Sequence, residues 1–192
     1  MALMIDPKKT ALVVIDLQRG IVANPSAPRP GSEVVARAAR IAAAMRAAGG
    51  TVVLVHVTPS PDGQDALKPL TDAPPMGGGM APPPDWSEFV PELTPLAGDI
   101  VITKRQWGAF YGTELDLQLR RRGVDTIVLC GISTNIGVET TARDAFERGY
   151  QQVFVEDAMA ARSGEEHTAT ASTLFPRIGR VRSTDEVVAA LG

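Results

Sequence analysis

The hydrophobic positions of the chain alternate between two patterns. Short continuous runs rich in β-branched residues fall at Thr10–Asp16, Thr51–Val57, Asp99–Thr103, Ile127–Leu129, Gln152–Val155 and Arg177–Arg182. Such runs suit parallel strands buried on both faces. Between them the apolar spacing turns helical. Ser32 is placed to N-cap a helix reaching Ala48, with Val35, Ala38, Ala39, Ile41, Ala42 and Met45 inward, and Gly49-Gly50 ends it. Thr113 opens a second helix, with Asp116 at the capping-box spacing, and Gly123 closes it. A third begins at Ile136 and buries Val138, Ala142, Ala145 and Phe146; two more are predicted over Glu165–Leu174 and Thr184–Leu191. Strands alternating with helices predict an α/β protein: a three-layer α/β/α, Rossmann-like fold with a mainly parallel six-stranded sheet.

Thr58–Leu96 breaks this rhythm. It is dense in proline and glycine, including Gly77-Gly78-Gly79 and Pro82-Pro83-Pro84, and has no lasting period. A long irregular segment within a compact domain reads as a lid, an oligomer arm or a disordered loop. Neither flank makes a domain alone, so residues 1–192 are read as one domain with an insertion at 58–96. Trp86 and Phe89 are its candidate anchors.

Composition narrows the function. A net charge of −3 offers no concentrated basic face for nucleic acid. The Arg120-Arg121-Arg122 run closes a helix, where cations suit the macrodipole. No window is long and apolar enough to span a membrane. The opening MALMIDPKKT lacks the apolar core of a signal peptide, and one cysteine suits a reducing compartment, so a cytoplasmic protein is expected.

The candidate chemistry sits at strand ends. Asp16 follows five apolar residues and reads either as a turn aspartate or as a partly desolvated acid–base group. Lys104 ends the third run, followed by Trp107-Gly108-Ala109-Phe110-Tyr111, which reads as a pocket wall or as core packing. Gly131-Ile132-Ser133-Thr134-Asn135 is a small, polar turn between a strand and a helix, a place where backbone N–H groups converge on a ligand. Cys130 lies before that turn and reads as a small buried hydrophobe. His56 reads as a packed strand histidine near the rim, and His167 as a residue of a surface helix. With only these two histidines, each with a packing or surface reading, no metal is expected. No Gly-x-Gly-x-x-Gly follows the first strand, so no dinucleotide is expected, nor any other cofactor.

Three motifs taken in order carry a resemblance over nearly the whole chain: Val14-Ile15-Asp16-Leu17-Gln18, Ile102-Thr103-Lys104 and Thr126–Arg148. Together they resemble the isochorismatase-like hydrolases, the superfamily that includes nicotinamidases and N-carbamoyl amidases. The resemblance implies strand order 3-2-1-4-5-6, which reverses beside strand 1 and brings Asp16, Lys104 and the glycine turn to one rim. It also implies a cis Ile132–Ser133 bond and an oxyanion hole from the N–H groups of Ser133 and Gly137. It marks Asp16, Lys104 and Gly137 as the catalytic positions. Gln18, Trp107, Phe110, Tyr111, Thr134 and Asn135 become candidate substrate contacts. A small-molecule substrate and a homo-oligomer, dimer or tetramer, are further implications.

The chain departs from the common pattern at Gly137, where most members carry a nucleophilic cysteine. Isochorismatases proper carry glycine there, but they have a bulky aromatic in place of Ser133 and a histidine in place of Asn135. Three readings follow: vinyl-ether hydrolysis with Asp16 as acid, amide hydrolysis by water that Asp16 activates, and ligand binding without turnover.

Overall fold

A computed structural model of the chain describes residues 3–73 and 82–192, so Gly77-Gly78-Gly79 lie outside the described residues. β1 (Thr10–Ile15) is buried along its whole length, as its unbroken apolar run requires. β2 (Thr51–Val57) and β3 (Ile100–Lys104) lie to one side of it. β4 (Thr126–Ile132), β5 (Gln151–Ala160) and β6 (Arg180–Arg182) lie to the other, completing a six-stranded sheet of order 3-2-1-4-5-6. Every pairing is parallel.

Side chains alternate across this sheet and build two cores. Leu12 and Val14 of β1 pack with Val34, Ile41 and Met45 of α2 (Gly31–Ala47) and with Val187 of α7 (Thr184–Leu191). Ala11, Val13 and Ile15 face the opposite core. There they join Leu115 and Leu119 of α3 (Leu115–Arg121), Ala142 and Ala145 of α4 (Glu139–Glu147), and Phe175 of α6 (Phe175–Ile178). Among the described residues no helix is long and apolar enough to cross a membrane.

Several predicted boundaries shift for local reasons. α2 starts at Gly31 with Pro30 in the cap position, not at Ser32, because Gly31 backs onto α1 (Arg19–Val22): a Cβ there would lie 2.7 Å from the Val22 carbonyl oxygen. α3 starts at Leu115, whose N–H donates to Thr113 Oγ1 at 3.2 Å, while Asp116 accepts the Tyr150 hydroxyl at 2.7 Å instead of capping. Phe146 is 53% exposed, not inward. β5 runs on to Ala160 past polar Glu156 and Asp157, because β5 bulges between Phe154 and Met159 and lets Met159 and Ala160 pair with Gly131 and Ile132. The last strand is only Arg180–Arg182, since Phe175–Ile178 coils to stack Phe175 on Phe154 at 4.0 Å. The helix expected at Glu165–Leu174 divides into α5 (Gly164–Ala169), capped by Ser163, and a wider turn at Thr170–Leu174.

The stretch around Trp86–Glu88 of the proline-rich segment is docked along α1. Arg19 and Gly20 donate backbone hydrogen bonds to the carbonyls of Glu88 and Trp86. The Trp86 ring lies so close over Gly20 that a Cβ there would sit 1.8 Å from Cδ1. Gly20→Ala must therefore displace the indole, at about 1–3 kcal/mol. A lower urea midpoint at unchanged slope is the expected result; an unchanged midpoint would mean that Trp86 does not dock there in solution.

Candidate active site

Asp16 follows the last residue of β1 and turns the chain out of the sheet with a left-handed φ of 54°, which a short polar side chain tolerates better than most. Its N–H donates to Val55 O at 2.9 Å. Lys104 ends β3 on the same rim and reaches across β2, placing Nζ 2.8 Å from Asp16 Oδ2. The lysine also donates to the Trp107 carbonyl. Both side chains are almost sealed from solvent, at 1% for Lys104 and 7% for Asp16.

Burial pushes the Asp16 carboxyl up to about 6, although the Lys104 charge and hydrogen bond pull it down. Its Oδ1 is buried and has no hydrogen-bond partner among the described residues. A carboxyl in that state can release or take a proton near neutral pH.

The turn after β4 completes the rim. The Ile132–Ser133 bond is cis, and Ser133 O accepts from the N–H groups of Ile136 and Val138 at 3.1 and 3.2 Å. The Thr141 hydroxyl donates to Gly137 O at 2.7 Å and accepts from Ala109 N at 3.1 Å, tying the far end of the turn to the stretch after Lys104. The Ser133 N–H donates no hydrogen bond among the described residues. Gly137 faces the acid–lysine pair: a Cβ there would lie 3.0 Å from Ile15 Cγ2, 3.1 Å from Asp16 Oδ2 and 3.2 Å from Lys104 Nζ.

The structure thus gathers Asp16, Lys104 and Gly137, together with Ile132 and Ser133, but not every proposed substrate contact. Gln18 is fully buried, with its amide committed to backbone: Nε2 donates to Val57 O at 3.0 Å, and Oε1 accepts from Val57 N at 2.9 Å. Phe110 is buried against Tyr150 and Arg148, just ahead of β5 and therefore at the opposite end of the sheet. Trp107 and Tyr111 are 57% and 73% exposed, and Trp107 touches the lysine through its carbonyl. Thr134 is buried and bonded to His167, while Asn135 is half-buried and accepts from the Ser133 hydroxyl at 3.2 Å.

Cys130 is fully buried, and burial, with a contribution from the Asp157 charge, pushes its thiol up to about 12, so no thiolate is available there. His56 is held between Ser87 O at 2.9 Å and Thr103 Oγ1 at 2.8 Å. His167 corrects the reading of a surface residue: it is 2% exposed, buried by Thr134 and Glu156, which lie 33 and 11 residues away in sequence. Only the Ser163 capping box, which starts α5 just before it, was available as a local signal. Two surface clefts, of about 500 and 410 Å³, are lined by residues around Thr103 and around His56; neither is lined by Asp16, Lys104 or Gly137.

A parallel 3-2-1-4-5-6 sheet carrying an acid–lysine pair and a glycine-bearing turn at one rim is the framework of an α/β/α hydrolase. The chain belongs to the isochorismatase family, whose isochorismatase domain matches residues 10–186. It is 56% identical to the isochorismatase family protein YwoC of Bacillus subtilis over 184 residues, 96% of this chain and 95% of that one. It is 35% identical to the "probable isochorismatase" of Pseudomonas chlororaphis (96% and 87% covered) and 34% identical to the ureidoacrylate amidohydrolase RutB of Methylobacterium radiotolerans (98% and 81% covered). A solved structure of an isochorismatase family protein from Burkholderia thailandensis matches with a TM-score of 0.92 at 48% identity, covering 100% of this chain and 99% of that one.

Proposed function

We propose that this hydrolase works without a cysteine nucleophile and cleaves a small vinyl-ether carboxylate, with Asp16 as the acid. The observation that carries this reading is the glycine at position 137, which leaves no side chain between the turn and the Asp16–Lys104 pair. The similarity to the "probable isochorismatase" of Pseudomonas chlororaphis supports it.

Protonated Asp16 donates its proton to the terminal methylene carbon of the vinyl ether. The C=C π electrons form the new C–H bond, and the ether oxygen stabilises the cation left on the adjacent carbon. Water adds to that carbon and returns a proton to the Asp16 carboxylate. The hemiketal then expels the alcohol, taking up one proton as its hydroxyl loses another, and pyruvate remains. Lys104 either holds the substrate carboxylate or tunes the pKa of Asp16, while the N–H groups of Ser133 and Gly137 bind negative oxygen.

A second reading rests on the similarity to the ureidoacrylate amidohydrolase: Asp16 as a base that activates water against an amide. The two predict opposite pH limbs. With Asp16 near 6, an acid role gives a kcat/KM for pyruvate release from isochorismate that is level below pH 6 and falls about tenfold per unit above it. A rate of amide hydrolysis that rises through pH 6 would assign the base role, and no pyruvate release at any pH would remove the vinyl-ether reading for that substrate. Lys104→Met removes the charge that lowers the Asp16 pKa, so the falling limb is expected to move to higher pH. A limb that stays in place would mean that the lysine does not tune the acid.

A further inference from the structure

Behind the turn that follows β4 lies a buried polar chain that the reaction above leaves unused. Thr134 Oγ1 is 2.8 Å from His167 Nδ1, and His167 Nε2 is 2.8 Å from Glu156 Oε1. Arg29 holds Glu156 in turn: its guanidinium donates to the carboxylate at 3.3 Å and to the carbonyls of Glu156 and Met159 at 3.0 and 2.6 Å. Thr134 and His167 are closed to water, so these bonds have no solvent substitute.

The donor roles follow from Glu156. Burial pushes its carboxyl up, but the hydrogen bond from His167, the charge and hydrogen bond of Arg29 and the charge of His167 when protonated outweigh that, leaving it below the usual carboxylate range. An ionised carboxylate only accepts, so Nε2 carries the imidazole hydrogen. In the neutral ring Nδ1 is then an acceptor, and the Thr134 hydroxyl must be its donor.

We propose that His167 is a positioning residue: in the Nε2–H tautomer fixed by Glu156, it takes the Thr134 hydroxyl hydrogen and so holds the Ser133–Gly137 turn against Asp16 and Lys104. Its effect on turnover rests on the hydrolytic reading above; its tautomer and its hold on the turn do not. Thr134 is the first residue beyond Ser133, and Thr141 holds the other end through Gly137 O. Without the Thr134 anchor the start of the turn is held only by the end of β4 and by its own backbone bonds. A displacement of about 1 Å at a catalytic group costs on the order of a hundredfold in rate.

Thr134→Val deletes the hydroxyl at nearly constant volume, and Thr134→Ser restores it. The chain has only two histidines, so protein labelled in its histidine ring nitrogens shows two imidazoles by NMR, and His56→Asn assigns them. His167 is expected as the Nε2–H tautomer. Its Nδ1 resonance and the Ser133 and Gly137 amide resonances should shift in Thr134→Val and return in Thr134→Ser. In the pyruvate-release assay, kcat should fall about ten- to a hundredfold in Thr134→Val with KM changed less than about twofold, and Thr134→Ser should recover it. An Nδ1–H tautomer, a doubly protonated ring at neutral pH, or unmoved turn amides in Thr134→Val, would overturn the proposal. So would a lower Tm with intact kinetics, the mark of a purely structural bond. If no protein released pyruvate, the reaction reading would fall alone, and the resonances would still decide the role of His167.

Discussion

Asp16→Asn is expected to lower kcat/KM for pyruvate release by about a hundred- to ten-thousandfold, the range that a positioned acid contributes. The amide is nearly isosteric but has no proton to give near neutral pH. The substitution also leaves the Lys104 ammonium, 2.8 Å away and 1% exposed, without its counter-charge. Breaking a buried pair from one side typically costs about 3–5 kcal/mol, so the rate must be read beside a melting curve. The double variant Asp16→Asn/Lys104→Met separates the two effects. With both charges removed it should melt above either single variant and remain inactive. Full activity in Asp16→Asn would end the proposed mechanism whatever the stabilities.

The pair also links stability to pH. Because the folded state raises the Asp16 pKa from 3.8 to about 6, it binds that proton more tightly than the unfolded chain does. The stability contributed by the protonated group is complete below pH 3.8 and is lost as pH rises through 6. Asp16 ionised at neutral pH is thus a local cost of keeping a poised acid in the core.

The second large effect is expected at Gly137. Gly137→Val brings a Cβ to 3.0–3.2 Å from Ile15, Asp16 and Lys104, and its methyl groups crowd the acid further. Turnover should drop below detection, and overpacking should cost about 1–3 kcal/mol. Gly137→Cys is the informative companion. It places a thiol beside the Asp16 carboxylate, where pyruvate release should fall by about a hundredfold, as a misplaced catalytic geometry predicts. Buried Cys130 should stay inert to iodoacetamide, so any label in this variant reports a thiol at position 137 that reagent can reach. Undiminished pyruvate release from both variants would show that substrate does not approach Asp16 past residue 137.

Much of the architecture was legible because its signals are local. The unbroken apolar runs of β1 and β2 demand cover on both faces, and Gly49-Gly50 ends α2 within a residue or two of where it was expected. Where tertiary pairing overrode local pattern, reading failed: β5 continues through Glu156 and Asp157 because β4 is there to receive it, and Phe146 sits on the amphipathic edge of a short helix. The substrate contacts were the least legible. Gln18 and Phe110 look like pocket residues in one dimension, yet one satisfies the backbone at the end of β2 and the other packs against Tyr150.

The amino-acid sequence by itself determined the layered α/β design, the order of its elements and the residue types at the strand ends, since each depends on periodicity, turn chemistry and motif spacing along the chain. Only the tertiary structure decided which of those residues meet. Asp16 and Lys104 lie 88 positions apart, and their 2.8 Å contact exists because two parallel strands end at the same rim. The burial that lifts the Asp16 pKa, the close approach of Gly137 to the pair and the enclosure of His167 are likewise properties of packed neighbours. Desolvation depends on what surrounds a group in three dimensions, and no local run of residues encodes it.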